Sequence, residues 1–182
     1  MQAWRRRLET LGEVMTLDYP YMQQGKKRPD PPAVLIATHT AALDEARRRA
    51  PGTIVLIGKS MGSRMGCHVA AAPPPDAERL RLVCLGYPLK AAGSGALRDQ
   101  VLLSLTVPIL FIQGTRDPLC PLDLLADVRE RMKAPNELLV VDGGDHSLAV
   151  SAEARRRAGI NQNDSDANVL EAIRRFVAGG PA

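Results

Sequence analysis

Thr53-Ile-Val-Leu-Ile-Gly58-Lys59-Ser60-Met61-Gly62-Ser63-Arg64 decides the architecture of the chain. Residues 53–57 are an unbroken aliphatic and β-branched run, as expected of a strand buried on both faces. Residues 58–62 break that run with a sharp turn, and 61–72 read as a helix leaving it. A G-x-S-x-G pattern between a strand and a helix holds its serine on a strained bend. The hydroxyl is lifted above the sheet and the helix N-terminus is aimed at the same point. Such a bend crowds the backbone around it, so Gly58 and Gly62 are both expected to stand where a Cβ would not fit. Ser60 is the candidate nucleophile.

Working outward, Val34, Leu35, Thr38, Ala42, Leu43 and Ala46 recur at helical spacing and predict a helix over 33–50, stopped by Pro51-Gly52. Before it, Trp4, Leu8 and Leu11 share one face of a short helix closed by Gly12, and 13–18 read as a first strand. Residues 19–32 form a loop, with Pro29, Pro31 and Pro32 barring regular structure. Beyond the elbow helix, Pro73-Pro74-Pro75 reads as a stiff surface connection. Strands are predicted at 80–85, 108–113 and 137–141, and helices at 98–105 and 121–132. Residues 90–97 are a Gly-rich loop. Asp166 is placed to cap a final helix to about 177, with Val169, Ile173 and Val177 on one face. Strands alternating with helices call for an α/β fold, a mainly parallel sheet with helices on both faces. No internal repeat or second domain stands out, so 1–182 reads as one domain.

The composition bounds the function classes. An apolar share of 45% with 24% charged residues is that of a globular protein, and no apolar run is long enough to cross a bilayer. The first residues carry charge with no apolar stretch after them, unlike a secretory leader. Cys67, Cys84 and Cys120 are odd in number and lack CxxC spacing, so neither a disulfide framework nor a metal site is expected, and a cytoplasmic or nuclear setting fits. The net charge of +4 is concentrated at Arg5-Arg6-Arg7, Lys26-Lys27-Arg28, Arg47-Arg48-Arg49 and Arg155-Arg156-Arg157. Two of these clusters lie in helical patterns beside Glu9 and Glu45. Solvated helix faces are expected there rather than a nucleic-acid surface.

A serine nucleophile needs a base to take its proton and an acid to orient that base. The strand at 108–113 is followed by Asp117, and the strand at 137–141 by His146. Both loops open at the sheet edge that carries Ser60. The other histidines, His39 and His68, fall inside predicted helices and are not placed to serve. Asp142 and Asp145 share a loop with His146 and lie too close to it in sequence to be the orienting acid. Asp117 also precedes Pro118, where capping the next helix is the alternative role. Cys120 is expected to be a spectator. The amide of Met61 is the candidate oxyanion donor. The second donor of such sites normally lies on a Gly-rich loop after an earlier strand, and neither Gly12 nor Gly25 has that context.

These residues resemble one branch of the α/β-hydrolase superfamily. It is the small dienelactone-hydrolase-like group that includes the testis-expressed hydrolase-like proteins and the hydrolase-like subunit of a histone-acetyltransferase (NSL) complex. The resemblance runs from about Trp4 to Val177. It is carried by Gly58-Lys-Ser-Met-Gly-Ser-Arg64, Leu85-Gly-Tyr-Pro-Leu89, Leu97-Arg-Asp99, Val107-Pro-Ile-Leu-Phe-Ile-Gln-Gly-Thr-Arg-Asp117 and Gly143-Gly-Asp-His-Ser147. Asp18-Tyr-Pro-Tyr21 with Gly25-Lys-Lys-Arg28 is similar to plant-type members. The resemblance implies an α/β-hydrolase fold, a Ser60–Asp117–His146 triad and no cofactor or metal. It implies a small-molecule ester or thioester as substrate, or, as the alternative, a non-catalytic module within a chromatin or other protein complex. Tyr19, Tyr87 and Leu89 are candidate pocket residues.

Members of that branch begin with a strand and a His-Gly-Ala-Gly loop that carries the second oxyanion donor. The present sequence aligns only from the helix that follows. An N-terminally truncated fold is therefore expected, without the first strands and the oxyanion loop, and with impaired activity. The absent strand would lie between 14–18 and 53–58. Either a gap or direct pairing of those two strands is expected.

Overall fold

The computed structural model describes residues 2–72, 76–91 and 93–179. In chain order the elements are α1 (Gln2–Leu8), α2 (Pro20–Gln23), α3 (Pro32–Arg49), β1 (Ile54–Lys59), α4 (Met61–Ala71), β2 (Leu80–Leu85) and α5 (Gln100–Leu103). These are followed by β3 (Ile109–Gly114), α6 (Leu122–Arg131), β4 (Asn136–Val141), α7 (Ala152–Ala158) and α8 (Gln162–Val177). The predicted Pro73-Pro74-Pro75 connection lies outside the described residues.

All four strands are parallel and stand in the order of the sequence, β1-β2-β3-β4. Parallel neighbours need a crossover, and α4, α5 and α6 provide the three. The inner strands are apolar at every position that meets a helix, because both of their faces are covered. Leu80, Leu82 and Cys84 of β2 and Ile109 and Phe111 of β3 point to the side of α3, α4 and α6, where Leu43, Cys67, Leu125 and Val128 meet them. Val83, Leu85, Leu110 and Ile112 alternate to the other side, against Leu8, Val169, Ile173 and Phe176 of α1 and α8. Each such side chain withdrawn from water stabilises the fold by about 1.5–3 kcal/mol. Together they tie both helical layers to one sheet. A parallel sheet flanked by helices on both faces is the α/β arrangement that the alternating sequence predicts.

Residues 13–18 do not form the expected first strand. No ladder pairs them with β1, whose only strand neighbour among the described residues is β2. Val14 instead packs against the α1 and α8 side, and Leu17 joins Tyr19, Leu35 and Met65. The aliphatic spacing of this segment serves two separate clusters, so it does not read out one face of a strand. The loop expected at 19–32 contains the short helix α2, started by Pro20. Helix α7 lies in a stretch with no prediction, and Ser151 caps it by accepting from the Ala154 amide. Helix α8 begins earlier than expected, at a capping box of Asn161 and Asp164. Asp166 accepts instead from Arg7 and Gln162.

Three of the four basic clusters lie on helices α1, α3 and α7, each with at least one ion pair, while Lys26-Lys27-Arg28 lies in the loop after α2. Arg5 pairs with Glu9, Arg47 with Asp44 and Asp76, Arg48 and Arg49 with Glu45, and Arg157 with Asp142. Among the described residues no helix is long and apolar enough to cross a membrane.

Candidate active site

Strand β1 ends in the elbow, and Ser60 sits there at φ 53°, ψ −116°. This is one of two non-glycine residues with positive φ among the described residues, the other being Leu148. A bend of that kind costs of order 1–3 kcal/mol and persists only where its surroundings hold it. Here the Ser60 amide donates to the Leu85 carbonyl at the end of β2, 3.1 Å away, and the Ser63 hydroxyl donates to the Ser60 carbonyl at 2.6 Å. A Cβ on Gly58 would overlap the Ser63 amide nitrogen and the Gly62 carbonyl group. A Cβ on Gly62 would meet nothing within 4 Å. The expectation that both glycines are sterically required is thus corrected: Gly58 yields room to the α4 backbone, while Gly62 sits in an open helical turn.

Asp117 lies in the turn after β3 and His146 in the loop after β4, and the fold closes both onto the elbow. His146 Nε2 is 2.8 Å from Ser60 Oγ, and His146 Nδ1 is 2.7 Å from Asp117 Oδ2. The Asp117 side chain is fully buried, whereas His146 keeps about a quarter of its side chain exposed. Burial alone would raise the Asp117 pKa. Hydrogen bonds from His146, the Leu119 amide and Gln113 outweigh it and leave the carboxyl below its usual value. Asp117 is therefore held ionised beside the imidazole, the state that orients Nδ1–H and leaves Nε2 free to accept from the serine. This is the geometry of a Ser-His-Asp triad.

Two residues that the sequence did not single out complete this arrangement. Gln113 is fully buried at the end of β3, donates to Asp117 Oδ2 and accepts from the Tyr87 amide at 3.1 Å. Its signal was present as a lone amide side chain in an otherwise apolar strand. Gly86, at φ 63°, lies against the His146 loop, where a Cβ would overlap the His146 carbonyl oxygen. Asp145 shapes the same loop, accepting from the Ser147 and Ala149 amides at 2.7 and 3.0 Å, and Asp142 pairs with Arg157. Neither contacts His146 as an acid. Lys59 reaches over the elbow to Ser147 Oγ at 2.9 Å.

The Met61 amide stands at the first position of α4, where unpaired N–H groups and the helix dipole favour negative charge. Its side chain packs beside Tyr19. Tyr19 is 6% exposed and sets its hydroxyl 3.3 Å from His39 Nδ1. Burial, with Tyr21 adding to it, pushes the Tyr19 pKa up to about 12, and burial lowers that of His39. Tyr87 and Leu89 are fully buried in the core, Tyr87 edge-on to Phe111, and neither presents side-chain surface to solvent. Cys120 is buried too; burial, with the Asp117 charge next, pushes its thiol up to about 12, away from reactive thiolate character. Among the described residues no three His, Cys, Asp or Glu side chains converge as metal ligands.

Residues 1–178 match the family model described as an alpha/beta hydrolase domain. The chain belongs to the α/β-hydrolase family. Solved structures agree at the level of the fold. A monoacylglycerol lipase from Paleococcus ferrophilus superposes with a TM-score of 0.67 at 13% identity, covering 98% of this chain and 89% of that one. An alpha-beta serine hydrolase homologue from Coxiella burnetii gives 0.54 at 18% identity, over 84% and 61%. A protein from Klebsiella pneumoniae subsp. pneumoniae, assigned as a dienelactone hydrolase, gives 0.51 at 22% identity, over 83% and 70%. This α/β-hydrolase chain thus spans about three fifths of the length of the Coxiella burnetii protein.

Proposed function

We propose that this protein is a serine hydrolase that cleaves a carboxylic ester or thioester of a small molecule by acyl transfer through Ser60. The continuous hydrogen-bond chain from Ser60 Oγ through His146 to Asp117 carries the proposal. Ser60 Oγ attacks the acyl carbon while His146 Nε2 takes its proton, and Asp117 balances the imidazolium. The carbonyl oxygen, now an oxyanion, lies at the Met61 amide. His146 then protonates the departing alcohol or thiol. Water repeats the sequence in reverse, with its proton passing to His146 and its hydroxide to the acyl carbon, and Ser60 is released.

The names of the structural relatives, a lipase, a serine hydrolase homologue and a dienelactone hydrolase, support an ester substrate. Arg64 after the elbow and Leu97-Arg98-Asp99 support placement in the dienelactone-hydrolase-like branch with the testis-expressed and NSL-complex members. Three buried free cysteines support a reducing setting, cytoplasm or nucleus. A fluorophosphonate probe should label Ser60 in the folded protein, and short-chain p-nitrophenyl esters should turn over, with both signals absent in Ser60→Ala. A folded protein that neither labels nor turns over would remove the hydrolase reading and favour the scaffold role in a protein complex.

A further inference from the structure

Two of the stretches singled out in the sequence take no part in the triad: Arg64 at the end of the elbow motif, and Leu97-Arg98-Asp99. The fold brings them together. Arg64 and His68 stand four and eight residues beyond Ser60, on one face of α4, and α5 packs against that helix. Arg64, His68, Leu97, Arg98, Gln100 and Val101 line a cavity of about 200 Å³.

The chemistry of this cavity is one-sided. Among the described residues neither Arg64 nor Arg98 belongs to any salt bridge. The adjacent carboxylate, Asp99, is turned to Arg131 at 2.9 Å. Arg64 Nε is buried without a hydrogen-bond partner. An unpaired buried donor is costly to the fold, and so is a second like charge beside it. Burial first and the charge of Arg98 second lower the Arg64 pKa; burial first and Arg64 second lower that of His68. The backbone that carries Arg98 is pinned, since its carbonyl accepts from the buried Tyr87 hydroxyl at 3.0 Å. Two guanidiniums thus line one concave space, and among the described residues no carboxylate pairs with either.

We propose that this cavity binds a phosphate-class dianion, either free phosphate or the phosphoryl group of a small molecule. The Arg64 and Arg98 guanidiniums hold it, and His68 and Gln100 supply further polar contacts. A phosphate near neutral pH carries between one and two negative charges and three strong acceptor oxygens, which matches two guanidiniums; a carboxylate would neutralise only one. The cavity has room for several water-sized groups, and Leu97 and Val101 offer an apolar wall to the carbon portion of a phosphoester. None of Ser60, Asp117 and His146 lines it, so the site stands apart from the triad and does not depend on the hydrolase reading.

Thermal unfolding and two-dimensional NMR of the full chain test it, with sodium phosphate, phenyl phosphate, acetate and chloride compared at equal ionic strength. Phosphate should raise the melting temperature saturably and shift the His68 ring resonances, while acetate and chloride do neither. Arg98→Gln should weaken phosphate binding by about tenfold or more, and Ser60→Ala should leave it unchanged. Tighter binding of phenyl phosphate than of inorganic phosphate would assign the site to a small-molecule phosphoester; equal binding would assign it to free phosphate. Stabilisation matched by chloride, unmoved His68 resonances, or undiminished affinity in Arg98→Gln would each overturn the proposal. Should that variant not fold, the His68 resonances of the unaltered protein decide alone.

Discussion

Gln113 and Asp117 are joined side chain to side chain, with the Gln113 amide nitrogen donating to the carboxylate oxygen that also faces His146 Nδ1. The other end of the same amide accepts from the Tyr87 backbone. One buried side chain thereby links the end of β3, the loop after β2 and the acid of the triad. Replacing it with leucine strands the Tyr87 N–H and weakens the hold on Asp117. Gln113→Leu is expected to lose about 1–3 kcal/mol of stability and to lower kcat more than it raises KM. Urea unfolding and steady-state ester kinetics measure the two effects.

The Ser60 backbone makes a separable prediction. Alanine at this position keeps the strained φ, whereas glycine adopts it without a Cβ penalty. Ser60→Ala and Ser60→Gly should both lose ester turnover, by about 10⁴-fold or more. Ser60→Gly should nonetheless unfold about 1 kcal/mol later than Ser60→Ala, the strain relieved exceeding the added chain entropy. Equal unfolding midpoints for the two would show that the elbow stores no strain.

The two elbow glycines should part company in the same assay. A Cβ at position 58 runs into the backbone of Gly62 and Ser63, and Gly58→Ala is expected to cost about 3 kcal/mol or more, or to prevent folding. Gly62→Ala meets open space inside α4 and should stabilise by about 0.5–1 kcal/mol through helix propensity. Melting curves of the pair decide whether the motif's second glycine has a steric role.

Asp117→Asn removes the charge that balances the imidazolium and is expected to reduce kcat by about 10³–10⁴-fold with the fold intact. It should also change acid stability. The folded carboxyl lies below its ordinary value, so the unfolded chain binds the proton more readily. The stabilisation is therefore fully present above the unfolded pKa of about 3.9 and is lost as pH falls through the lower, folded value. Melting temperatures taken from pH 6 to pH 2 should fall more steeply in the native protein than in Asp117→Asn.

The His39 and Tyr19 pair has the opposite proton chemistry and the same sign. Burial favours neutral His39, so the unfolded chain binds its proton first. Its contribution is whole above about pH 6.5 and declines as pH drops through the lower folded value. His39→Gln should lessen the loss of stability measured between pH 7 and pH 5, and unchanged slopes would place the acid sensitivity elsewhere.

Much of the scaffold was legible because it is written in local periodicity. The strands at 54–59, 80–85, 109–114 and 136–141 are short apolar runs bounded by Gly, Pro or polar residues, and their alternation with amphipathic helices leaves little choice but a parallel sheet. The segment 13–18 shows where that logic stops. Its apolar residues pass every local test for a strand, yet a strand exists only where another backbone offers a ladder, and among the described residues none does. Gln113 was overlooked for a related reason. Its meaning lies in Tyr87 and Asp117, residues that no local pattern connects to it.

By itself the sequence determined the element order, the elbow around Ser60 and the chain order of serine, acid and histidine, since each depends on neighbours a few residues away. Only the tertiary structure decided which of the two elbow glycines is sterically bound. It also decided that Gln113 braces Asp117, that Asp145 accepts from the amides of its own loop, and that Arg64 and Arg98 share one cavity. Those outcomes depend on how packed segments approach one another, as where the Gln113 side chain accepts from the Tyr87 amide. Burial and hydrogen-bond satisfaction across the packed fold set such distances, and composition and spacing carry no record of them.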